Sequence, residues 1–327
     1  DISEDSKLRQ KTMKFENKIV LIIVISIAIY ASFLFLSDYN SISENVSQFQ
    51  VEYSIPILLL IIASWVPLFC KWHFLFKKNG IKIPLKTSIL IWLSGSAFSV
   101  TPGHIGELMK SQLLKNIFNI PRSKTTPIVF VDKFYDLVSA LLVSIIGIII
   151  LDIDLRLAIV SAIILGVLLF LIYCRPVFEY FLKKITKFKF FSKFSEDITE
   201  SYQILKNSTN YKIASISILL SVSYWMIIAS SVYLILLAFD ITSISFMQAI
   251  ATYPVSILIG VASFIPGGIG VTEGSLAGLF ALQGLDISLA LVVSIFIRIF
   301  TLWFSVSIGF IGLKLSGGLS LSREFKN

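Results

Sequence analysis

The 327-residue chain is 56% hydrophobic and only 15% charged, with a mean hydropathy of +0.86, well above the ~45–50% apolar content of a soluble domain. A soluble globular protein is excluded, whereas six spans of ~20 residues would use ~120 residues and leave room for intramembrane pieces, loops and polar ends within one membrane domain. The net charge of +8 could suggest nucleic acid, but its placement between apolar runs assigns it to a membrane and argues for no nucleic-acid partner.

Residues 1–18 are polar and basic, with Lys7, Arg9, Lys11, Lys14 and Lys18, and lead into an apolar stretch at 19–37. That stretch is long enough to span and ends in Phe-Leu-Phe-Leu-Ser without a small-residue cleavage site, so it predicts a retained first span and not a signal peptide. Further apolar segments of full length fall at 54–76, 126–151, 157–174, 213–239 and 287–313, making six spans. Two others, 87–101 and 246–265, run into Pro-Gly turns and continue as short amphipathic helices. They predict re-entrant hairpins at about 87–118 and 246–284. Residues 175–212 are Lys-rich, with Phe178, Leu182, Ile185, Phe188 and Phe191 at three- to four-residue spacing. This reads as an amphipathic segment on the inner leaflet, where each basic residue attracts anionic lipid by ~1 kcal/mol.

Lys and Arg concentrate on the cytoplasmic side of membrane proteins. With the N-terminus inside and each hairpin returning to the side it entered from, 25 of the 26 basic residues counted outside the spans fall inside, among them Lys71 and Lys110. Arg156 alone falls outside, beside Asp38, Glu44, Glu52, Asp152, Asp154, Asp240 and Asp286. If either hairpin crossed fully, the Lys-rich loops would contradict one another. The expected architecture is an all-α polytopic membrane protein: about six full transmembrane helices plus two oppositely oriented re-entrant hairpins, in one domain over 19–313. The polar N-terminus 1–18 and the tail 314–327 are both cytoplasmic.

The hairpins share a pattern. Ser99-x-x-Pro102-Gly103-x-Ile105-Gly106 recurs as Ser263-x-x-Pro266-Gly267-x-Ile269-Gly270, 164 positions later. A carboxylate follows each turn, Glu107 and Glu273, and an intramembrane charge follows each carboxylate by 25 residues, Asp132 and Arg298. Interrupted apolar segments in corresponding halves point to an inverted repeat with a transport site near the midplane. At each turn proline stops the incoming helix, the glycines (Gly103, Gly106, Gly267, Gly268, Gly270) permit tight backbone, and the next helix aims its free N–H groups at the turn. Two opposed helix N-termini would suit a phosphate or carboxylate. Packing of small residues, with Glu107 and Glu273 serving their own helix dipoles, is the simpler alternative.

Asp132 and Asp136 share a face at i,i+4, and Lys133 reaches Asp136 at i,i+3. Asp132 lies only ~9 Å into its span, so snorkelling to the interface competes with a pathway role. Arg298 lies ~16 Å into its span and demands an internal partner, with Glu273 or Glu107 the natural candidate. His104 could titrate near neutral pH, and Lys110 either joins the site or faces the inner headgroups. Lys71, His73, Trp65 and Trp72 read as interfacial anchors. Cys70 and Cys174 sit near the ends of apolar runs and suggest neither disulfide nor metal site. With two histidines in the chain, no metal, cofactor or catalytic residue is expected.

The segments Pro102-Gly-His-Ile-Gly-Glu107, Asp132-Lys133-x-x-Asp136 and Pro266-Gly-Gly-Ile-Gly-x-x-Glu273 resemble those of a flippase-like family. That family includes the lysylphosphatidylglycerol synthase transmembrane region, the lipid-translocating half of the multiple peptide resistance factor. It usually has Glu-Arg-x-x-Asp at the middle motif. The likeness spans most of 19–313 and implies a multi-pass flippase or scramblase; the Lys-over-Arg and Ile-rich usage fits a prokaryotic source, and so a prokaryotic cell membrane. Its cargo would be an anionic or aminoacylated phospholipid, or an isoprenoid-phosphate-linked lipid. Arg298 and Lys133 would meet the anionic headgroup, while Glu107, Glu273, Asp132 and Asp136 balance charge or contact an amine. The soluble aminoacyl-transferring domain of the synthases is expected to be absent, because only a dozen residues follow Leu315. The protein is therefore expected not to be an enzyme, while a homodimer and a separate lipid-modifying enzyme stay open as partners. The competing readings are a membrane-embedded glycosyltransferase or phosphatase acting on lipid-linked substrates, and a non-catalytic membrane partner of such an enzyme.

Overall fold

A computed structural model describes residues 44–101, 106–151 and 198–317, with isolated helical positions between 159 and 170. The expected spans at 19–37 and 157–174 lie outside the described residues or largely so, as do the start of the 175–212 segment and the turn residues 102–105. Every regular element among the described residues is helical: α1 (Ser54–Lys78), α2 (Leu85–Ser96), α3 (Met109–Phe118), α4 (Arg122–Ile150), α5 (Ile198–Ser208), α6 (Tyr211–Ala238), α7 (Phe246–Ala262), α8 (Val271–Leu282), α9 (Ile287–Arg298) and α10 (Phe304–Leu315). A π-helical turn, Ile299–Trp303, joins α9 to α10. Among the described residues, four helical stretches are long and apolar enough to cross a membrane: Val51–Lys78, Arg122–Ile150, Tyr211–Ala238 and Ile287–Leu315. The protein is a helical, multi-pass membrane protein.

Local chemistry explains the boundaries. Ser245 and Gln248 form a capping box at the start of α7, and the Asp286 carboxylate accepts from the N–H groups of Ser288 and Leu289 at the start of α9. The Asn210 side chain does the same for α6. Lys77 and Lys78 close α1, where cations favour the helix C-terminus. Along α1 the exposed apolar residues Ile55, Leu59, Ile62 and Val66 recur every three or four positions, a stripe suited to lipid contact.

Helix α1 runs antiparallel to α6: the Gln50 N–H donates to the Ala238 carbonyl at 2.8 Å, and at the other end the Asn79 amide donates to Ser208 Oγ at 2.8 Å. Ser201 Oγ donates to the Ser123 carbonyl at 3.1 Å, which brings the start of α4 to that second end. Ser94 and Ser316 are 3.3 Å apart, which brings the end of α10 down along α2. The basic residues Lys77, Lys78, Arg122, Lys124, Lys206 and Lys212 thus gather at one end of the body. Leu151 lies beside Leu282 and Gln283 at the opposite end, where α7 begins and α8 finishes. Helices α2 and α3 leave from and return to the lysine-rich end, whereas α7 and α8 do so at the other. The chain just after α2 meets the turn between α7 and α8, since a methyl group on Gly267 would lie 3.6 Å from Val100 Cα.

Each unit has its own core. Trp72, Phe76, Ile91, Leu114 and Phe134 surround the first, and Ile57, Val232, Ile235, Phe280 and Val293 surround the second. Close helix approach uses glycine, as it does generally in membranes. A methyl on Gly147 of α4 would lie 3.0 Å from Ala251 Cα of α7, and one on Gly312 of α10 would lie 3.0 Å from Leu93 Cβ of α2.

Two expectations are corrected. Lys71 and Trp72 are fully buried and are not interfacial anchors. Lys71 stands seven residues before the end of α1, ~10 Å from it, and finds partners inside. Lys110 is buried as well, so neither lysine belongs in a count of loop charges. In the described part of the 175–212 segment, Ile204 and Leu205 of α5 belong to the core around Trp72, and the Tyr135 hydroxyl donates to the Ser208 carbonyl at 2.9 Å.

Candidate functional site

Between the hairpin tips lies a cavity of about 590 Å³. One side carries Glu107, Lys110, Asp132, Lys133 and Asp136, and the other Gly267, Gly268, Thr272 and Arg298. Aromatic side chains, among them Trp65, Trp92, Phe130, Tyr224 and Tyr253, complete the walls. Charged groups set in an apolar cavity at this depth are costly unless paired, and here they are paired throughout.

The first cluster is built on α4, with α1, α6 and the first hairpin around it. Asp132 and Asp136 sit one turn apart, as their i,i+4 spacing requires. Lys71 of α1 reaches both: its Nζ is 3.2 Å from Asp132 Oδ1, an ion pair without hydrogen-bond alignment, and it donates to Asp136 Oδ1. It also donates to the Asp132 carbonyl at 2.8 Å and to Ser221 Oγ of α6 at 3.0 Å. Ser221 in turn donates to Asp136 Oδ1 at 2.9 Å, and the Trp225 indole donates to the Asp136 carbonyl at 3.3 Å. On the cavity side, Lys133 lies 2.9 Å from Glu107 Oε1 and 3.4 Å from Asp136 Oδ2. Glu107 Oε2 accepts from Lys110 at 2.6 Å. The Lys110 ammonium stands 5.2 Å over the Trp72 ring, a cation–π contact. Lys110 fits because residue 95 is glycine; a methyl there would overlap its Cε.

The second cluster is more compact. Arg298 Nε is 2.8 Å from Glu273 Oε1, and its guanidinium also donates to the Gly267 carbonyl. Glu273 Oε2 accepts from the Gly270 N–H at 2.6 Å. Glu273 therefore serves its own helix start and the arginine together. Gly267, Gly268 and Gly270 have φ of 63°, 64° and 84°, the left-handed region that side chains other than glycine rarely adopt. At Gly268 a second demand is added, since a methyl there would lie 2.5 Å from Thr272 Oγ1. The π-helical turn Ile299–Trp303 follows Arg298 directly; such turns recur at functional sites.

The structure brings together Glu107, Lys110, Asp132, Lys133 and Asp136 at one side of the cavity and Gly267, Gly268 and Arg298 at the other, with Pro266, Gly270 and Glu273 behind Arg298 in the same turn and helix start. Arg298 takes Glu273, one of its two expected partners, and Lys133 takes Asp136. The Gly106 N–H donates to Thr101 Oγ1 at 2.7 Å, while Pro102, Gly103 and His104 lie outside the described residues. Lys71 and Ser221 went unrecognised. Lys71 carries the same mark as Arg298, a charge set back from the end of an apolar run; Ser221 carries no such mark among the many serines of α6.

Around the cavity, Lys71, Lys110, Lys133 and Arg298 balance Glu107, Asp132, Asp136 and Glu273 among the described residues. No group of three or more His, Cys, Asp or Glu side chains could hold a metal ion among the described residues.

Comparison with known proteins places these features. A UPF0104 membrane protein of Methanothermobacter thermautotrophicus is 30% identical over 104 residues, 32% of this chain and 31% of that protein. The chain matches about a third of the length of that curated relative. The family model described as the lysylphosphatidylglycerol synthase TM region matches residues 23–309, a stretch holding both Pro-Gly turns and every charge of the two clusters. The chain is thus a member of the lysylphosphatidylglycerol synthase TM region family.

Proposed function

We propose that this protein moves a lipid with a charged headgroup between membrane leaflets, as a flippase or scramblase. In this reading α2–α3 and α7–α8 are re-entrant hairpins entering from opposite faces of an inverted repeat. Six spans cross the membrane of a prokaryotic cell, and both termini lie in the cytoplasm. The cargo is an anionic or aminoacylated phospholipid, or an isoprenoid-phosphate-linked lipid. The observation that carries the proposal is a cavity of about 590 Å³ walled by the buried ion pairs of Glu107, Lys133 and Asp136 and by Arg298, beside the close approach of Val100 to Gly267. Broken helices survive at membrane depth only beside protein or a polar cavity, and paired interrupted helices at a midplane are how transporters build substrate sites. Acyl chains would stay in lipid while the headgroup passes between the tips.

The test is headgroup accessibility in proteoliposomes carrying fluorescent phosphatidylglycerol or a fluorescent polyprenyl phosphate. The proposal expects transbilayer movement with the protein present and none in protein-free vesicles. Absence of movement for both probes, with formation of a chemically altered lipid, would replace it with the membrane-enzyme reading.

A further inference from the structure

We propose that Lys133 is the exchangeable cation of the cavity: a lipid phosphate draws it from Glu107 and Asp136, which each keep a second cation behind them, Lys110 for Glu107 and Lys71, shared with Asp132, for Asp136. This rests on the reading that an anionic lipid headgroup enters the cavity. Lys133 is the accessible member of its cluster, with its side chain 33% exposed against 16% for Asp136, 6% for Glu107, 2% for Lys110 and 0% for Lys71. Each of its carboxylate partners holds a second cation on its other oxygen. Glu107 offers Oε1 to Lys133 and Oε2 to Lys110. Asp136 offers Oδ2 to Lys133 and Oδ1 to Lys71, with the Ser221 hydroxyl also on Oδ1.

That division decides which cation can leave. If Lys133 turns toward a ligand, Glu107 keeps Lys110, and Asp136 keeps the Ser221 hydroxyl and the Lys71 ammonium that it shares with Asp132, so neither is stranded without a partner, the outcome that makes breaking a buried ion pair expensive. The other cations are held. Lys71 is enclosed and bonded to Asp132, Asp136 and Ser221. Lys110 is packed against Gly95 and Trp72. Arg298 is 4% exposed and anchored to Glu273 and the Gly267 carbonyl, so it braces the second tip. The recognised chemistry is the phosphate oxygen, whether in a glycerophospholipid diester or a polyprenyl monoester.

The test uses the purified full chain in nanodiscs and measures equilibrium binding of fluorescent phosphatidylglycerol, polyprenyl phosphate and diacylglycerol, which lacks a phosphate. Wild type should prefer a phosphate-bearing lipid. Loss of one charge-assisted hydrogen bond in Lys133→Gln should weaken that binding about tenfold or more, with a melting temperature close to wild type. Lys133→Arg should keep the preference, and Lys71→Gln should lower the melting temperature. Unchanged preference in Lys133→Gln, or instability matching that of Lys71→Gln, would overturn the proposal. Displacement of both lipid probes by millimolar inorganic phosphate would assign Lys133 to a soluble anion and overturn the lipid assignment. Anionic lipid bound through Lys133 but not moved across a bilayer would leave this inference standing and remove the translocation reading alone.

Discussion

Replacing Glu273 by Gln tests whether the second hairpin is held by its buried ion pair. Glu273 is fully buried and Arg298 is 4% exposed, with 2.8 Å between Oε1 and Nε. Glu273 Oε2 also accepts from the Gly270 N–H at 2.6 Å. The amide of Glu273→Gln keeps one acceptor oxygen, which can serve the guanidinium or the Gly270 N–H but not both, and the negative charge is gone. Stranding a buried charge in this way costs about 3–5 kcal/mol. Arg298→Met strands the carboxylate instead and should cost a similar amount. In the double variant neither charge remains, so the combined loss should fall short of the sum of the single losses by about 1–3 kcal/mol. Unfolding free energies of the four proteins in mixed micelles supply the cycle. Single losses that add in the double variant to within about 0.5 kcal/mol would refute the pairing as a source of stability.

Lys71→Met should destabilise by about 3–5 kcal/mol in the same assay, because Asp132 and Asp136 would face each other without a shared cation; the helix-end control Lys77→Met should lie within about 0.5 kcal/mol of wild type. Gly95→Ala should cost about 1–3 kcal/mol by displacing Lys110 from its slot, whereas Gly278→Ala in α8, where a methyl meets nothing within 4 Å, should be neutral or stabilise by up to about 1 kcal/mol. Single cysteines at Lys78 and Asp240 should react with an impermeant thiol reagent from opposite sides of a sealed membrane, with Lys78 on the cytoplasmic side; labelling from one side would break the proposed topology.

Much of this architecture is written in local chemistry. The apolar runs that became α1, α4, α6 and the α9–α10 helix are long, uniform and bounded by charge, which is the signal a membrane imposes most strongly. The Pro-Gly turn at 266–270 was legible because proline and left-handed glycines leave few other backbone choices, and Arg298 was legible because a deep intramembrane charge must find a partner. Lys71 was misread because it sits among aromatic residues near a helix end, where a snorkelling lysine has the same local sequence. Only the packing of α1 against α4 and α6 distinguishes the two, and that packing depends on residues 61 to 150 positions away. The slot at Gly95 is a tertiary feature of the same kind, invisible until α3 lies beside α2. The π-helical turn after Arg298 has no sequence mark in an otherwise continuous apolar run.

The most direct test of lipid passage between the hairpin tips is to tie them together. A methyl on Gly267 would lie 3.6 Å from Val100 Cα, within reach of a disulfide between cysteines at those two positions, in a chain with Cys70 and Cys174 replaced by Ala and with Gly267→Ala, which carries the left-handed strain of φ 63° alone, as the reference protein. Transbilayer movement of fluorescent phosphatidylglycerol and polyprenyl phosphate would be followed in proteoliposomes before oxidation, after oxidation and after reduction. The account predicts movement of at least one probe by the reduced protein, arrest on oxidation and recovery on reduction. Equal movement in the oxidised and reduced states, or none in either, would contradict it.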